Sequence, residues 1–162
     1  MFAATPTFLN GTIEQSISRQ YTQEMRVSYY ARQLFESFSR LGWLAHLISK
    51  TPALEDLSRM ISGRKVASQH ARGIQAVRID AIRGSEGRCN EFDARFHPLK
   101  EYTRFRWERV ASARQDGVGL PAVDLIQIGA SYFVRDGHHR ISVASAMGEK
   151  VIEANVTVWE LE

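Results

Sequence analysis

The first fifty residues have the hydrophobic spacing of a long amphipathic helix. Apolar residues recur every three or four positions in two successive runs, first at Ile13, Ile17, Tyr21 and Met25 and then at Tyr30, Leu34, Phe38 and Leu41. This period predicts one helix with a continuous apolar stripe. Thr12 and Gln15 have the spacing of a capping box, so the helix is expected to begin at Thr12 and to run to about Ile48. A break at Gly42 or near Ser28 is the competing interpretation.

A second, shorter apolar repeat predicts the other arm of a helical hairpin. Thr51 suits the N-cap and Pro52 the first helical position. The repeat then continues until Gly63 through Leu54, Leu57, Met60 and Ile61. The basic run 62–73 predicts a connector, which divides the chain into a helical region, 1–73, and a second region, 74–162.

The second region has alternating segments of strand and helix periodicity. Val77, Ile79 and Ala81 alternate with polar or less buried positions, and Ile152, Ala154, Val156 and Val158 do so again near the end. Two further strands are predicted at 123–128 and from Tyr132, and helices at 99–115 and after Gly137. The order β, α, β, β, α, β predicts a small mixed sheet, and the whole chain an α+β fold.

The stretch from Tyr132 to Gly148 carries the clearest chemistry. Aromatic and β-branched residues predict a short strand, Asp136-Gly137 a tight turn, and the run that ends at Gly148 a helix. His138, His139 and Arg140 then fall at the helix start, where free N–H groups and the helix dipole attract anions. This arrangement predicts a phosphate site, with Arg140 as a bidentate contact. Histidines with their ordinary pKa near 6.5 would bind an anion less well as the pH rises.

Composition excludes several classes of protein. The chain has 162 residues, 44% of them hydrophobic and 24% charged, which is ordinary for a globular protein. The net charge of +3 and the scattered basic residues do not indicate a nucleic-acid binder. The single cysteine, Cys89, cannot form an internal disulfide and fits a reducing compartment. With no apolar run long enough for a membrane span and no secretory pattern at Met1, the expected location is cytoplasmic.

The residues from about Gln75 to Trp159 resemble the ParB N-terminal/sulfiredoxin-like superfamily. The resemblance is carried by the run Gly119-Leu120-Pro121-Ala122-Val123 and by the strand, turn and helix from Tyr132 to Gly148. In that superfamily the turn and helix start bind nucleotide phosphates, and members include CTP-hydrolysing partitioning clamps, ATP-dependent sulfiredoxins and free-serine kinases. The Asp-Gly-His start is most similar to that of the kinase-like members.

The resemblance implies a nucleotide ligand, ATP or CTP with Mg²⁺. Carried over to this sequence, it assigns phosphate contacts to four residues of the turn and to two of an earlier loop, namely Gly137, His138, His139, Arg140, Arg88 and Asp93. Asp136 is the expected Mg²⁺ ligand, and Asp136 and Glu86 are the expected catalytic carboxylates. A tighter metal site that combines His97 with His138, His139 and Asp136 is the alternative.

Three departures from the family pattern narrow the range of expected functions. The reactive cysteine of sulfiredoxins corresponds to His138, so sulfinic-acid repair is not expected. Partitioning proteins carry a double arginine and continue into a DNA-binding domain, whereas here the pair is His139-Arg140 and the sequence stops at Glu162. DNA is therefore not an expected partner.

Two hypotheses remain open for the function. The protein is either a nucleotide-dependent phosphotransferase or nucleotide hydrolase, or a non-catalytic module that senses a ligand or engages a partner through the same turn. The N-terminal stripe is longer than the second region can cover, which predicts a homodimer through the N-terminal helices.

Overall fold

The N-terminal part of the chain is one continuous helix. The computed structural model describes residues 8–49 and 51–162, except for the side chains of 8–15, 17, 21, 46 and 49. Helix α1 (Phe8–Ser49) has 42 residues and a length of about 63 Å. It is already formed at Phe8, so Thr12 is an interior position and the predicted capping box is wrong.

Neither Gly42 nor Ser28 interrupts α1. Gly42 is buried because the helix passes very close to a loop there: a Cβ added to it would overlap the Cβ of His97. The absence of a side chain therefore permits helix packing at this position and does not mark a break.

Among the described residues of α1, the buried ones lie between Val27 and Gly42. Val27, Ala31 and Phe35 are buried. Leu34 and Phe38 are partly buried against the same cluster, which includes Trp107 of α3 (Arg104–Gln115). Of the predicted stripe, Leu34 and Phe38 are covered in this way, whereas Met25, Tyr30 and Leu41 are exposed.

The predicted second arm of the hairpin is wrong. In its place lie a two-residue strand, β1 (Glu55–Asp56), and a single helical turn, α2 (Leu57–Met60). Strand β1 pairs in parallel with β3 (Ile82–Ser85). Leu54 and Leu57 are indeed buried, but they are buried against the sheet. Their spacing therefore reflects burial against the sheet and not a helix.

The basic run 62–73 is not a connector. Most of it belongs to strand β2 (Val66–Arg78), which pairs antiparallel with β6 (Val151–Leu161) along nearly its whole length. A 3₁₀ turn at Ile79–Ala81 then separates β2 from β3 and interrupts the strand predicted there. Strand β2 runs through residues 73 and 74 without interruption, at the predicted boundary between the two regions.

The six strands form one mixed sheet, and the α+β class is confirmed. The remaining elements are β4 (Val123–Ile128), β5 (Ser131–Asp136) and α4 (His138–Ala146). The strand order is β1-β3-β5-β4-β6-β2, with β5 antiparallel to β4 and β4 parallel to β6. From α3 onwards the predicted order of elements is the observed one, whereas β3 was not predicted as a strand of its own.

The sheet has an apolar cluster on each face. The larger cluster joins the sheet to α4 and to the loop that carries Phe92 and Phe96. A smaller one on the opposite face contains Leu57, Ile126 and Phe133. Among the described helices, none combines the length and hydropathy that a membrane span requires.

A short chain of hydrogen bonds links helices α3 and α4 to the loop. Trp107 Nε1 donates to Ser142 Oγ at 2.7 Å, and Ser142 Oγ donates to the carbonyl of Phe96 at 2.6 Å. All three residues are buried, so each polar atom has a partner where water is excluded. These bonds set the position of α3 relative to the start of α4.

Candidate functional site

The turn between β5 and α4 requires glycine for two separate reasons. Gly137 has a φ of 102°, a conformation that side chains disfavour. A Cβ added to it would also lie 2.5 Å from Cγ1 of Val123 on β4. Strand β4 can therefore lie directly against the turn, which brings the segment before β4 alongside the start of α4.

The N-terminus of α4 is open to a ligand. Its first backbone hydrogen bond within the helix runs from Ile141 N to Gly137 O at 3.0 Å, so the N–H groups of residues 138–140 have no partner inside the helix. No side chain caps this end, and the first turn contains no acidic residue. Free N–H groups and the positive end of the helix dipole favour an anion here.

A cleft of about 360 Å³ lies over this helix end. The loop after β3 contributes Arg88, helix α3 contributes Arg106 and Val110, and the segment before β4 contributes Leu120 and Pro121. The turn itself supplies residues 136–140. The cleft thus combines basic and polar groups near the helix end with an apolar wall.

Arg140 connects the turn to the segment before β4 through hydrogen bonds inside the protein. Its Nη1 donates to the carbonyls of Pro121 at 2.6 Å and Ala122 at 2.7 Å, and its Nη2 donates to Asp136 Oδ2 at 2.6 Å. The side chain is only 14% exposed. Most N–H donors of the guanidinium are therefore already hydrogen-bonded within the protein, and the predicted bidentate phosphate contact is not available in this arrangement. Arg140 joins two walls of the cleft.

His138 and His139 are both buried against the ring of Phe92. His138 stacks on it at 6.0 Å between centroids, and His139 meets it edge-on at 5.4 Å. Burial, followed by the charge of Arg88, lowers the pKa of His138 to about 4. Burial, followed by the charges of Arg106 and Arg88, lowers the pKa of His139 to about 4. Both rings therefore stay neutral as the pH falls through 6.5, where histidines with the ordinary pKa would become charged.

The two histidines differ in their hydrogen bonds. Nε2 of His138 lies 2.6 Å from Ser85 Oγ. Nδ1 of His139 is buried and has no hydrogen-bond partner among the described residues; the residue is 7% exposed and lines the cleft. A buried polar atom without a partner is costly and needs an explanation. Nδ1 itself is covered in this arrangement, so a ligand in the cleft would reach it only if the ring turned towards the cleft.

Two arginines supply the positive charge of the cleft. Arg88 has one ion pair, with Glu91 at 3.2 Å. Arg106 is exposed and has no ion pair within the described part of the chain. Arg106 was not among the site residues predicted from the sequence. The available signal was its spacing of four from Val110, which puts both on one face of α3.

Glu86 and Asp93 do not line the cleft. Glu86 pairs with Arg135 at 3.0 Å, beside Trp159. Asp93 is fully buried and accepts hydrogen bonds from the backbone N–H of Arg95 and of His97, each at 2.9 Å, and pairs with Nδ1 of His97 at 2.8 Å. Both carboxylates are therefore engaged elsewhere, and the structure does not bring them to the turn.

The described residues contain no cluster of three or more His, Cys, Asp or Glu side chains arranged to hold a metal ion. His97 is held by Asp93 and packs on Phe38 at 4.4 Å between ring centroids, so the four-residue metal site is not assembled. Asp136 lines the cleft and is 71% exposed. A magnesium ion there would need ligand oxygens or water besides this carboxylate.

The chain matches no family model, and comparisons with curated proteins and with solved structures also give no match. The resemblance to the ParB N-terminal/sulfiredoxin-like superfamily therefore stays a prediction. The structure adds a cleft at the start of α4, and substitutions of the residues that line this cleft can test its role.

Proposed function

We propose that the protein binds a phosphate-containing ligand, a nucleotide such as ATP or CTP, in the cleft at the start of α4. The observation that carries this proposal is the buried, unpartnered Nδ1 of His139 beside an uncapped helix N-terminus. Membership of the ParB N-terminal/sulfiredoxin-like superfamily is part of the proposal, as is the cytoplasmic location that a nucleotide ligand and a single cysteine fit.

The cleft offers donors of the kind that phosphate oxygens require. The N–H groups of residues 138–140 can each donate to an oxygen, as can a neutral His139 protonated on Nδ1 if its ring turns towards the cleft. Arg88 and Arg106 supply full positive charges from two different elements. Hydrogen bonds to a charged acceptor are about twice as strong as neutral ones. The apolar wall of Val110 and Leu120 leaves room for a part of the ligand beyond its phosphates.

In the unliganded protein both candidate catalytic carboxylates are paired with arginines, which favours a binding function over catalysis. A general base must lie within hydrogen-bond reach of the proton that it removes. Glu86 is paired with Arg135, and Asp136 with Arg140. The second candidate function, a nucleotide-dependent phosphotransferase or hydrolase, is favoured by the exposure of Asp136 at the cleft. In that case Asp136 would act as base or hold Mg²⁺.

Calorimetric titration with ATP, CTP and GTP, with and without Mg²⁺, tests binding directly. Arg106→Ala is expected to weaken binding about tenfold or more, the scale of one charged hydrogen bond. Arg109→Ala is the matched control, because Arg109 is exposed on the same helix, packs over Phe105 and does not line the cleft. Absence of binding to every nucleotide and to inorganic phosphate would overturn the proposal, as would equal losses in the two variants.

A turnover assay separates the two candidate functions. Release of inorganic phosphate, or phosphorylation of free serine, is measured with each nucleotide that binds. Turnover that is lost in Asp136→Asn while binding persists would establish the enzymatic alternative. Binding without turnover under these conditions would favour the non-catalytic module.

We also propose a homodimer through α1. Large apolar side chains are exposed near its C-terminal end, at Leu41, Trp43, Leu44, Leu47 and Ile48. Spacings of three and four place Trp43, Leu44, Leu47 and Ile48 beside one another on the helix surface. Contiguous apolar patches of this kind mark interaction sites, and a second copy of α1 presents a matching face.

The mass in solution tests the dimer. Light scattering should give twice the monomer mass of 18.4 kDa, and Leu47→Glu should restore the monomer. The test substitution is placed at Leu47 and not at Leu34 or Phe38, because the side chains of Leu34 and Phe38 pack inside the protein. A wild-type mass of 18.4 kDa at micromolar concentration would end the dimer proposal.

A further inference from the structure

Ser85 is a fully buried residue at the end of β3, and its hydroxyl contacts two parts of the chain. Its Oγ accepts hydrogen bonds from the backbone N–H of Gly87 at 3.1 Å and of Arg88 at 3.2 Å. The same atom lies 2.6 Å from Nε2 of His138, the first residue of α4. The hydroxyl therefore connects the loop that carries Arg88 to the helix end that forms the floor of the cleft.

The direction of the hydrogen bond to His138 follows from the other bonds of the hydroxyl. A hydroxyl oxygen has two acceptor positions, and the N–H groups of Gly87 and Arg88 occupy both. Its proton must then be donated, and Nε2 of His138 at 2.6 Å is a closer acceptor than the carbonyl of Val134 at 3.3 Å. This assigns a neutral His138 with its proton on Nδ1.

We propose that Ser85 and His138 are a positioning pair that holds Arg88 at the cleft, an inference that rests on the proposed phosphate-binding function. Arg88 lies in an exposed loop, and its one ion pair is with a neighbour three residues along the chain, Glu91. That pair does not tie the loop to α4. The bonds to Ser85 Oγ, together with the contact to His138, do.

The surroundings hold both members of the pair in place. β3 is packed so closely at Gly84 that an added Cβ would overlap the carbonyl oxygen of Glu55 and lie 2.7 Å from the ring of Phe133. The ring of Phe92 stacks on His138 from the other side. Neither Ser85 nor His138 can shift without moving packed neighbours, so the position of the Arg88 backbone is defined relative to α4.

A nucleophilic serine is the alternative interpretation of a Ser–His contact at 2.6 Å. Ser85 is 0% exposed and does not line the cleft. A nucleophile must reach the reacting atom of the substrate, and this hydroxyl is covered by its own loop. The burial of Ser85 and its bonds to the loop N–H groups favour a positioning role.

A double-mutant cycle with inorganic tripolyphosphate as the probe tests the proposal. The affinity is measured by calorimetry for the wild type, Ser85→Ala, Arg88→Ala and the double variant. Ser85→Ala should weaken binding about fivefold or more in the wild type and less than about twofold once Arg88 is absent, since coupled residues are not additive. Equal losses in both backgrounds would overturn the proposal. If Ser85→Ala does not fold, Ser85→Cys replaces it, because a thiol of similar size is a weak hydrogen-bond partner.

Amide hydrogen exchange in the unliganded protein tests the pair independently of any ligand. In Ser85→Ala the amides of Gly87 and Arg88 should exchange about tenfold faster or more, while the core amide of Leu125 keeps its wild-type rate. Unchanged rates at Gly87 and Arg88 would overturn the proposal, as would a general increase that includes Leu125. If the wild type binds no probe while Ser85→Ala shows the local increase, the proposed function is refuted and the positioning role remains supported.

Discussion

Replacing Gly137 by alanine tests how closely β4 and the turn are packed. A φ of 102° is unfavourable for any residue with a Cβ, by roughly 1–2 kcal/mol on the scale of left-handed conformations. The new methyl would lie 2.5 Å from Cγ1 of Val123, whereas carbon atoms in contact are roughly 3.5–4.0 Å apart. Relief of such overlap costs about 1–3 kcal/mol. Together the two effects predict a loss of about 2–5 kcal/mol in the free energy of unfolding.

Urea unfolding measures this loss, and Gly129→Ala is the matched control. Gly129 has a φ of 57°, but an added Cβ there would meet no heavy atom within 4 Å. The control should therefore lose only the conformational part, about 1–2 kcal/mol. An unchanged slope of free energy against urea would show that both variants unfold from a comparable native state.

The difference between the losses in the free energy of unfolding of the two variants measures the cost of the overlap with Val123. Equal losses would show that Val123 moves aside at no cost, and that the close packing of β4 on the turn is not part of what holds the cleft together. A loss below about 1 kcal/mol in Gly137→Ala would refute the conformational part of the reasoning as well.

Three further predictions concern stability. Because His138 and His139 have a folded pKa of about 4 against an ordinary value of 6.5, their contribution to stability is complete above pH 6.5 and is lost as the pH falls towards 4. Urea unfolding at pH 5 should show about 1–2 kcal/mol less stability for each ring than at pH 7.5, and equal stability at both pH values would contradict the assigned pKa values. Val156→Ala should lower stability by about 2–3 kcal/mol, since Val156 is fully buried, while nucleotide affinity per folded molecule should not change in calorimetry. Trp107→Phe should cost about 1–3 kcal/mol, because Ser142 loses its donor in a buried site; a melting temperature equal to wild type would show that the bond is dispensable.

Local signals in the sequence determined the strand, turn and helix that form the floor of the cleft. The aromatic and β-branched run before Asp136, the glycine at 137 and the stop at Gly148 all act within a few residues of one another. Their conformations depend on steric limits of the backbone that hold in any fold. The order of elements from α3 onwards could be predicted for the same reason.

Elements whose partners are distant in the chain could not be predicted. Residues 67–74 of β2 are exposed, so this part lacks the alternation that identifies a strand, and it forms because β6 pairs with it from about eighty residues away. Leu54 and Leu57 have helical spacing but face the sheet. Apolar residues reveal that a segment is buried, whereas the surface that buries it is decided by the tertiary structure.

The chemistry of the cleft was determined in part by each level. The sequence alone placed two histidines and an arginine at a helix start, because three adjacent residues share one helical turn. Three other features depend on the tertiary structure. The guanidinium of Arg140 donates hydrogen bonds to the segment before β4, and Arg106 of α3 lines the cleft. His139 is buried with no partner for its Nδ1 among the described residues. Charge state and hydrogen bonding depend on solvent access and on groups that lie far apart in the chain, so they are properties of the assembled fold.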